Sequence, residues 1–182
     1  STLTDPKTIS VTLAAVRFTV YQAGLSTLLT FMLGIPSAIL FARFDFRGKS
    51  LLRALTAIPF MLPTVVVAAG FNSLLGPRGF FSYIFSFQFQ GTLTAILVAH
   101  VFYNTTIVIR MVGGALARLD PKLEQAARSL GADTFYVWRD ITLPLLRPSL
   151  LAAALLVFLF DFTSFGVILL LGGTNFSTLE VE

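Results

Sequence analysis

Few side chains in this 182-residue sequence could carry chemistry. Asp161 stands as the one charge in the apolar run 149–171, and His100 and Asn104 lie four positions apart in another apolar run, on one helix face. An acid and an imidazole could move protons, so a membrane-embedded acid–base pair of Asp161 and His100 is one chemistry to weigh. A carboxylate at the centre of a bilayer costs about 2.5–3.5 kcal/mol and usually faces a cavity or a partner. Asp161, His100 and Asn104 are therefore equally candidates to line a translocation path, or to hydrogen-bond between helices. A metal centre is not expected, because one histidine, no cysteine and a single membrane carboxylate cannot supply three or four ligands. No nucleophile–base–orienter set is visible, so no catalytic residue and no cofactor are assigned. The tripeptide Gly48-Lys49-Ser50 resembles the end of a phosphate-binding loop, but Arg43 stands where that loop needs its first glycine.

The elements that must position these residues follow from composition. Hydrophobic residues make up 55% of the chain and charged ones 12%, with a mean hydropathy of +0.84, which indicates an all-α integral membrane protein. Four apolar runs are expected to span the bilayer, at about 18–42, 54–77, 92–117 and 149–171. The first, 25 residues without a charge, is about 37 Å long as a helix, enough to cross a core of roughly 30 Å with some tilt. Gly34 and Ala38 in it have the spacing that lets helices approach closely, and Pro36 introduces a kink site that membrane helices tolerate. Pro59 and Pro63 should bend or loosen the second run, with Thr56 or Thr64 able to satisfy freed carbonyls. The aromatic-rich stretch from Phe80 to Phe89 suits a membrane interface. Gly172 and Gly173 provide a stop for the fourth span.

Between the third and fourth runs lies a polar passage, 120–147. Asp120 is an N-cap with Pro121 at the first helical position, and Leu119, Leu123, Ala126, Ala127 and Leu130 recur at helical spacing. Gly131 interrupts this pattern. Asp133 then caps a second short helix carrying Phe135, Trp138 and Ile141, which Pro144 is expected to stop. Of the thirteen Lys and Arg, ten fall around this passage and the 43–53 loop, and three (Lys7, Arg17, Arg78) fall on the other side. This positive-inside pattern puts 120–147 in the cytoplasm and both ends of the chain outside. The net charge of +4 is thus a topology signal, and no nucleic-acid partner is expected.

Glu124-Gln125-Ala126-Ala127, then Gly131, then Ile141-x-Leu143-Pro144 resembles the signature of binding-protein-dependent ABC transporter permeases. The acidic position of that signature is Gln125 here, with Glu124 just before it. LLRALTAIPFMLP, AHVFYNTTIVIR and ITLPLLRPSLLAAALLVFLFDFTSFGVILLLGG extend the likeness over most of the chain, and it looks most like the branch that carries iron(III) or thiamine. The resemblance implies a single transmembrane permease domain, 1–182, in a bacterial or archaeal inner membrane, which moves substrate by alternating access. It implies that Glu124, Gln125, Ala126, Ala127, Gly131, Ile141, Leu143 and Pro144 form a two-helix cytoplasmic segment docking on an ABC ATPase. It further implies an extracytoplasmic substrate-binding protein and a second permease half, either a separate subunit or fused in one chain. Membrane lipid is the remaining partner. Four spans are fewer than such permeases usually have, so a fragment of a longer permease with more helices is expected. A channel remains as an alternative that needs no docking loop, beside the membrane-embedded enzyme.

Overall fold

Helix α1, Pro6–Arg43, is 38 residues and about 57 Å long, and it runs unbroken through Pro36. The computed structural model describes residues 6–76, 79–80 and 91–172; most of the aromatic-rich stretch, Arg78 and the polar end from Thr174 lie outside the described residues. After α1 come α2 (Lys49–Met61), α3 (Thr64–Leu75), α4 (Leu93–Ala117), α5 (Pro121–Ser129), α6 (Thr134–Val137), a π turn (Trp138–Thr142), α7 (Leu143–Phe162) and α8 (Phe165–Leu171). Among the described residues, three helical stretches are long and apolar enough to cross a membrane, Thr12–Arg43, Leu93–Ala117 and Thr134–Phe162, or four if the bent pair α2–α3 is one span. Among them α4 is central, with 56% of its apolar window buried against 28% and 17% for the other two.

The exposed faces are rich in Leu, Met and Val: on α1, for example, Leu28, Met32, Leu33 and Leu40 point outward. Lipid tails are as apolar as leucine, so such helices gain little by hiding leucine and associate instead through close packing and polar contacts. Both devices are present. A Cβ on Gly34 would stand 2.7 Å from the Val108 side chain, and one on Gly113 would stand 3.2 Å from the Ala38 carbonyl. The missing side chains let α1 and α4 form the most extensive helix contact of the fold.

Apolar packing forms two separate layers. Ala38, Ile107, Val108, Val112, Ala153 and Val157 join α1, α4 and α7 at the end nearer the polar passage. At the other end, Ala68, Ala95, Ile96, Ala99, Val167, Ile168 and Leu171 join α3, α4 and α8. The Gly91 amide donates to the Leu171 carbonyl at 2.9 Å and ties the start of α4 to the end of α8.

Two expected spans are broken, each for a local reason. The run expected at 54–77 begins at Lys49 and divides into α2 and α3, bent by 104°. The break falls at Pro63, not at Pro59, which stays inside α2. Leu62 precedes a proline, so the α region is closed to it, and it sits at φ −81°, ψ 143°. Thr106 of α4 donates its hydroxyl to the Thr56 carbonyl and pins α2 just before the bend. The fourth run starts early and ends early. Pro144 does not stop the preceding helix: the backbone widens into the π turn, where the Leu143 amide reaches the Trp138 carbonyl, and this accommodates a proline ring that would crowd the carbonyl of Asp140. Helix α7 then ends at Phe162, so Asp161 lies at a helix end and not near the middle of a span.

Candidate functional site

Asp161 is fully buried at the break between α7 and α8, where the helix ladder leaves carbonyls unpaired. Its own carbonyl accepts from the Gln22 side-chain amide of α1 at 2.8 Å and from the Ser164 hydroxyl at 2.9 Å. Its carboxylate Oδ1 accepts from the Asn104 amide of α4 at 2.6 Å. His100 Nδ1 stands 3.4 Å from the same oxygen, one turn away from Asn104. The Ser26 hydroxyl also faces the carboxylate. The structure thus brings His100, Asn104 and Asp161 together, in a polar layer between the two apolar ones. All three are at most 2% exposed, and the layer joins α1, α4 and α7.

Sequence reasoning missed the α1 side of this layer. Thr19, Gln22, Ser26 and Thr30 are all buried along one stripe. Their spacing was a readable signal, since Gln22, Ser26 and Thr30 repeat every fourth position within an apolar helix. Among the described residues, Gln22 Oε1, Ser26 Oγ, Thr30 Oγ1, both His100 ring nitrogens, Asn104 Oδ1 and Asp161 Oδ2 have no hydrogen-bond partner.

The polar passage forms a second site. Asp120 accepts from the Lys122 amide at 2.9 Å and starts α5. At its end the Ala132 amide donates to the Ala127 carbonyl and the Gly131 amide to the Arg128 carbonyl, both at 3.0 Å, the paired closure that requires a left-handed residue. Gly131 supplies it with φ +88°. Asp133 then accepts from the Tyr136 amide at 2.7 Å and starts α6. The elbow so formed borders a cavity of 520 Å³ lined by Ala127, Leu130, Gly131, Tyr136 and Ile141, among others. Leu130 is 90% exposed and Phe135 70%.

Glu124 holds this elbow to the membrane helices. Arg43, the last residue of α1, forks onto its carboxylate through both terminal nitrogens, with Nη1 to Oε2 at 2.9 Å, and the buried Thr142 hydroxyl donates to Oε1 at 3.0 Å. The Arg43 hydrogen bond, with help from Thr142 and Arg128, lowers the Glu124 pKa against the opposing effect of burial. Gln125 and Ala126 are exposed, and Leu143 and Pro144 lie beyond the π turn in the first turn of α7. The displaced acid therefore has a role of its own: one position back from Gln125, it faces the bundle. No pattern in the sequence links Arg43 to Glu124 across 81 residues.

Residues 10–181 match the family described as binding-protein-dependent transport system inner membrane component. The chain belongs to this family. Relatives within it include the sulfate transport system permease protein CysT of Salmonella typhimurium, 32% identical over 174 residues, covering 94% of this chain and 61% of the relative. The molybdenum transport system permease protein ModB of Azotobacter vinelandii is 32% identical over 165 residues, covering 88% of this chain and 73% of the relative. The thiamine transport system permease protein ThiP of Brucella abortus is 34% identical over 174 residues, covering 91% of this chain and 32% of the relative. The chain thus spans 61% of the length of the sulfate relative. Sulfate, molybdenum and thiamine relatives match at nearly equal identity, so the expected likeness to iron(III) or thiamine carriers is not singled out. The fold is shared with a chain of an ABC transporter involved in the import of the acidic polysaccharide alginate, at TM-score 0.73 and 19% identity over 99% of this chain and 65% of that one. It is shared as well with a chain of the MetNI methionine ABC transporter, at TM-score 0.69 and 20% identity over 87% of this chain and 73% of that one.

Proposed function

We propose that this chain is the membrane-spanning part of a permease subunit in an ATP-driven importer, and that the elbow at Gly131 docks on an ABC ATPase. The observation that carries the reading is the elbow itself. Two capped helices meet at a left-handed glycine, turn Leu130 and Phe135 outward beside an open cavity, and are tethered to α1 through Glu124. An apolar patch held rigidly away from the lipid-facing helices is suited to a protein groove. On this reading Glu124, Gln125, Ala126, Ala127, Gly131, Ile141, Leu143 and Pro144 form the coupling segment in the cytoplasm, and a substrate-binding protein delivers cargo on the opposite side. A second permease half completes the path. His100, Asn104 and Asp161 hold α4 and α7 together where those helices border it. Chemistry on ATP belongs to the partner. Cargo is selected by the binding protein, and iron(III) and thiamine stand beside sulfate and molybdenum as cargo classes for this chain.

The test is ATP hydrolysis by the partner ATPase in reconstituted vesicles, with substrate-loaded binding protein present. A Cβ on Gly131 would meet no atom within 4 Å, so a substitution there acts through backbone strain and through the docked partner alone. Gly131→Val costs about 1–2 kcal/mol at positive φ and is expected to leave the spans inserted while abolishing the stimulation. Gly131→Asn, which tolerates the left-handed region better, should restore the backbone but still place a side chain in the elbow. Full stimulation in both variants would remove the elbow from the coupling path.

A further inference from the structure

Two acids, one near each end of α7, clasp that helix to α1 and α4. At the elbow end the Glu124 carboxylate receives Arg43 from α1 and, at 3.0 Å, the hydroxyl of Thr142, the residue just before α7. At the far end Asp161 receives Asn104 of α4 on its carboxylate at 2.6 Å and Gln22 of α1 on its carbonyl at 2.8 Å. Thr142 and Asp161 stand about 29 Å apart along the helix axis. Between the clasps α7 packs on the other two helices through Ala153 and Val157. Apolar contacts of this kind gain little over contacts with lipid, so the polar clasps decide where α7 sits. Helices α1 and α4 are joined differently: they interlock at Gly34 and Gly113, where a Cβ would crowd the other helix. Helix α7 is also flanked by irregular backbone at both ends. The π turn precedes it, and Thr163 (φ −100°, ψ 30°) and Ser164 (φ −91°, ψ 52°) follow it. A straight rod between two such joints is built to shift as one piece, and packed helix interfaces shift between discrete arrangements.

We propose that α7 moves as one body against the interlocked α1–α4 pair, and that Thr142, acting through Glu124, is the positioning residue that sets its place. Release at Glu124 then draws Asp161 away from Asn104 and Gln22, so the elbow and the break before α8 change together. The inference rests on the docking reading for what would act on the elbow. The link between the two clasps belongs to this chain and is measurable without a partner.

The probe is His100, the one histidine of the 182-residue sequence, whose Nδ1 stands 3.4 Å from the Asp161 carboxylate. Protein labelled with ring-¹⁵N histidine, purified on a histidine-free tag and placed in lipid nanodiscs, reports the far clasp through the ring-nitrogen resonances. His100→Gln identifies them by their loss. Gln22→Leu cuts the far clasp directly and fixes the direction of the shift. Thr142→Val removes one hydroxyl at the elbow end, keeps the side chain's shape and leaves Arg43 on Glu124. It is expected to move the His100 resonances in the same direction as Gln22→Leu. Thr142→Ser keeps the hydroxyl and should give the parent spectrum, as should Lys122→Gln on α5. Arg43→Gln, a change at the surface, frees Glu124 from α1 and should reproduce the Thr142→Val shift, which keeps the test open if the buried variant is poorly recovered. Parent resonances in Thr142→Val and Arg43→Gln would overturn the proposal. Equal shifts in Thr142→Val and Thr142→Ser would overturn it too, because packing and not the hydroxyl would then be responsible. Adding the partner ATPase to the parent protein is a separate arm. No shift there, with the variant shifts present, would count against the docking reading and leave the link between the clasps standing.

Discussion

At the scale of single residues, Asp161 shows how a costly side chain is accommodated. Its isolation was legible in the sequence; its place at a helix end was not, nor were its partners, which come from α1 and α4. Asn104 came to notice only through its spacing from His100, and Gln22 was read as part of an apolar run. The hydrogen bonds decide what substitutions should do. Asparagine at position 161 offers an oxygen to the Asn104 amide and keeps the backbone carbonyl that Gln22 and Ser164 bind. Asp161→Asn should therefore assemble at nearly the normal level and retain uptake. Asp161→Leu leaves a buried amide without its acceptor, at a cost of about 1–3 kcal/mol, and recovered complex should fall. Both are read by quantifying solubilised protein beside transport. Lost uptake in a fully assembled Asp161→Asn protein would return the carboxylate to the path.

Among the elements, the two-helix passage was the most readable and the broken spans the least. Caps announce themselves locally: Asp120 with Pro121, Gly131, and Asp133 all sit where the residue types placed them. Proline is harder to read, because its effect depends on what the backbone around it can yield. Pro63 breaks a helix, Pro36 and Pro59 lie within continuous ones, and Pro144 is met by a π turn. The tether between elements makes a pH prediction. Hydrogen bonding from Arg43 depresses the Glu124 pKa in the folded protein, so the link is fully present above the ordinary carboxylate value near 4.5 and is lost as pH falls through the depressed one. The rate at which a cysteine at Ser129 reacts with a water-soluble thiol reagent, divided by that of a free thiol at the same pH to remove the thiolate's own pH dependence, should be steady from neutral pH down to the ordinary carboxylate range. Below that the rate should rise as the elbow loosens. Glu124→Gln should show the raised rate at neutral pH, by an amount on the order of the 1 kcal/mol that a partly exposed ion pair contributes. A flat profile in the parent would show that the elbow stays in place without the link.

For the molecule as a whole, composition alone was enough for a helical membrane protein, and the charge distribution gives an expectation for its orientation. Helix count was less legible, since a bend of 104° cannot be read from hydropathy. The orientation has its own measurement. A cysteine at Ser50, at the start of α2, should resist an impermeant thiol reagent added to intact cells, and one at Ser82, in the stretch between the second and third apolar runs, should react. Labelling at Ser50 would invert the topology and separate the elbow from any cytoplasmic partner. The polar layer also bears on how the protein is made. Gln22, Ser26, His100 and Asn104 all precede Asp161 in the chain, and synthesis is directional, with N-terminal parts emerging first. The side chain least welcome in lipid is thus translated after the groups of α1 and α4 that surround its carboxylate. By the time the ribosome delivers it, the α1 and α4 groups that receive it have already been made, so the order of the gene serves as a schedule for burying charge.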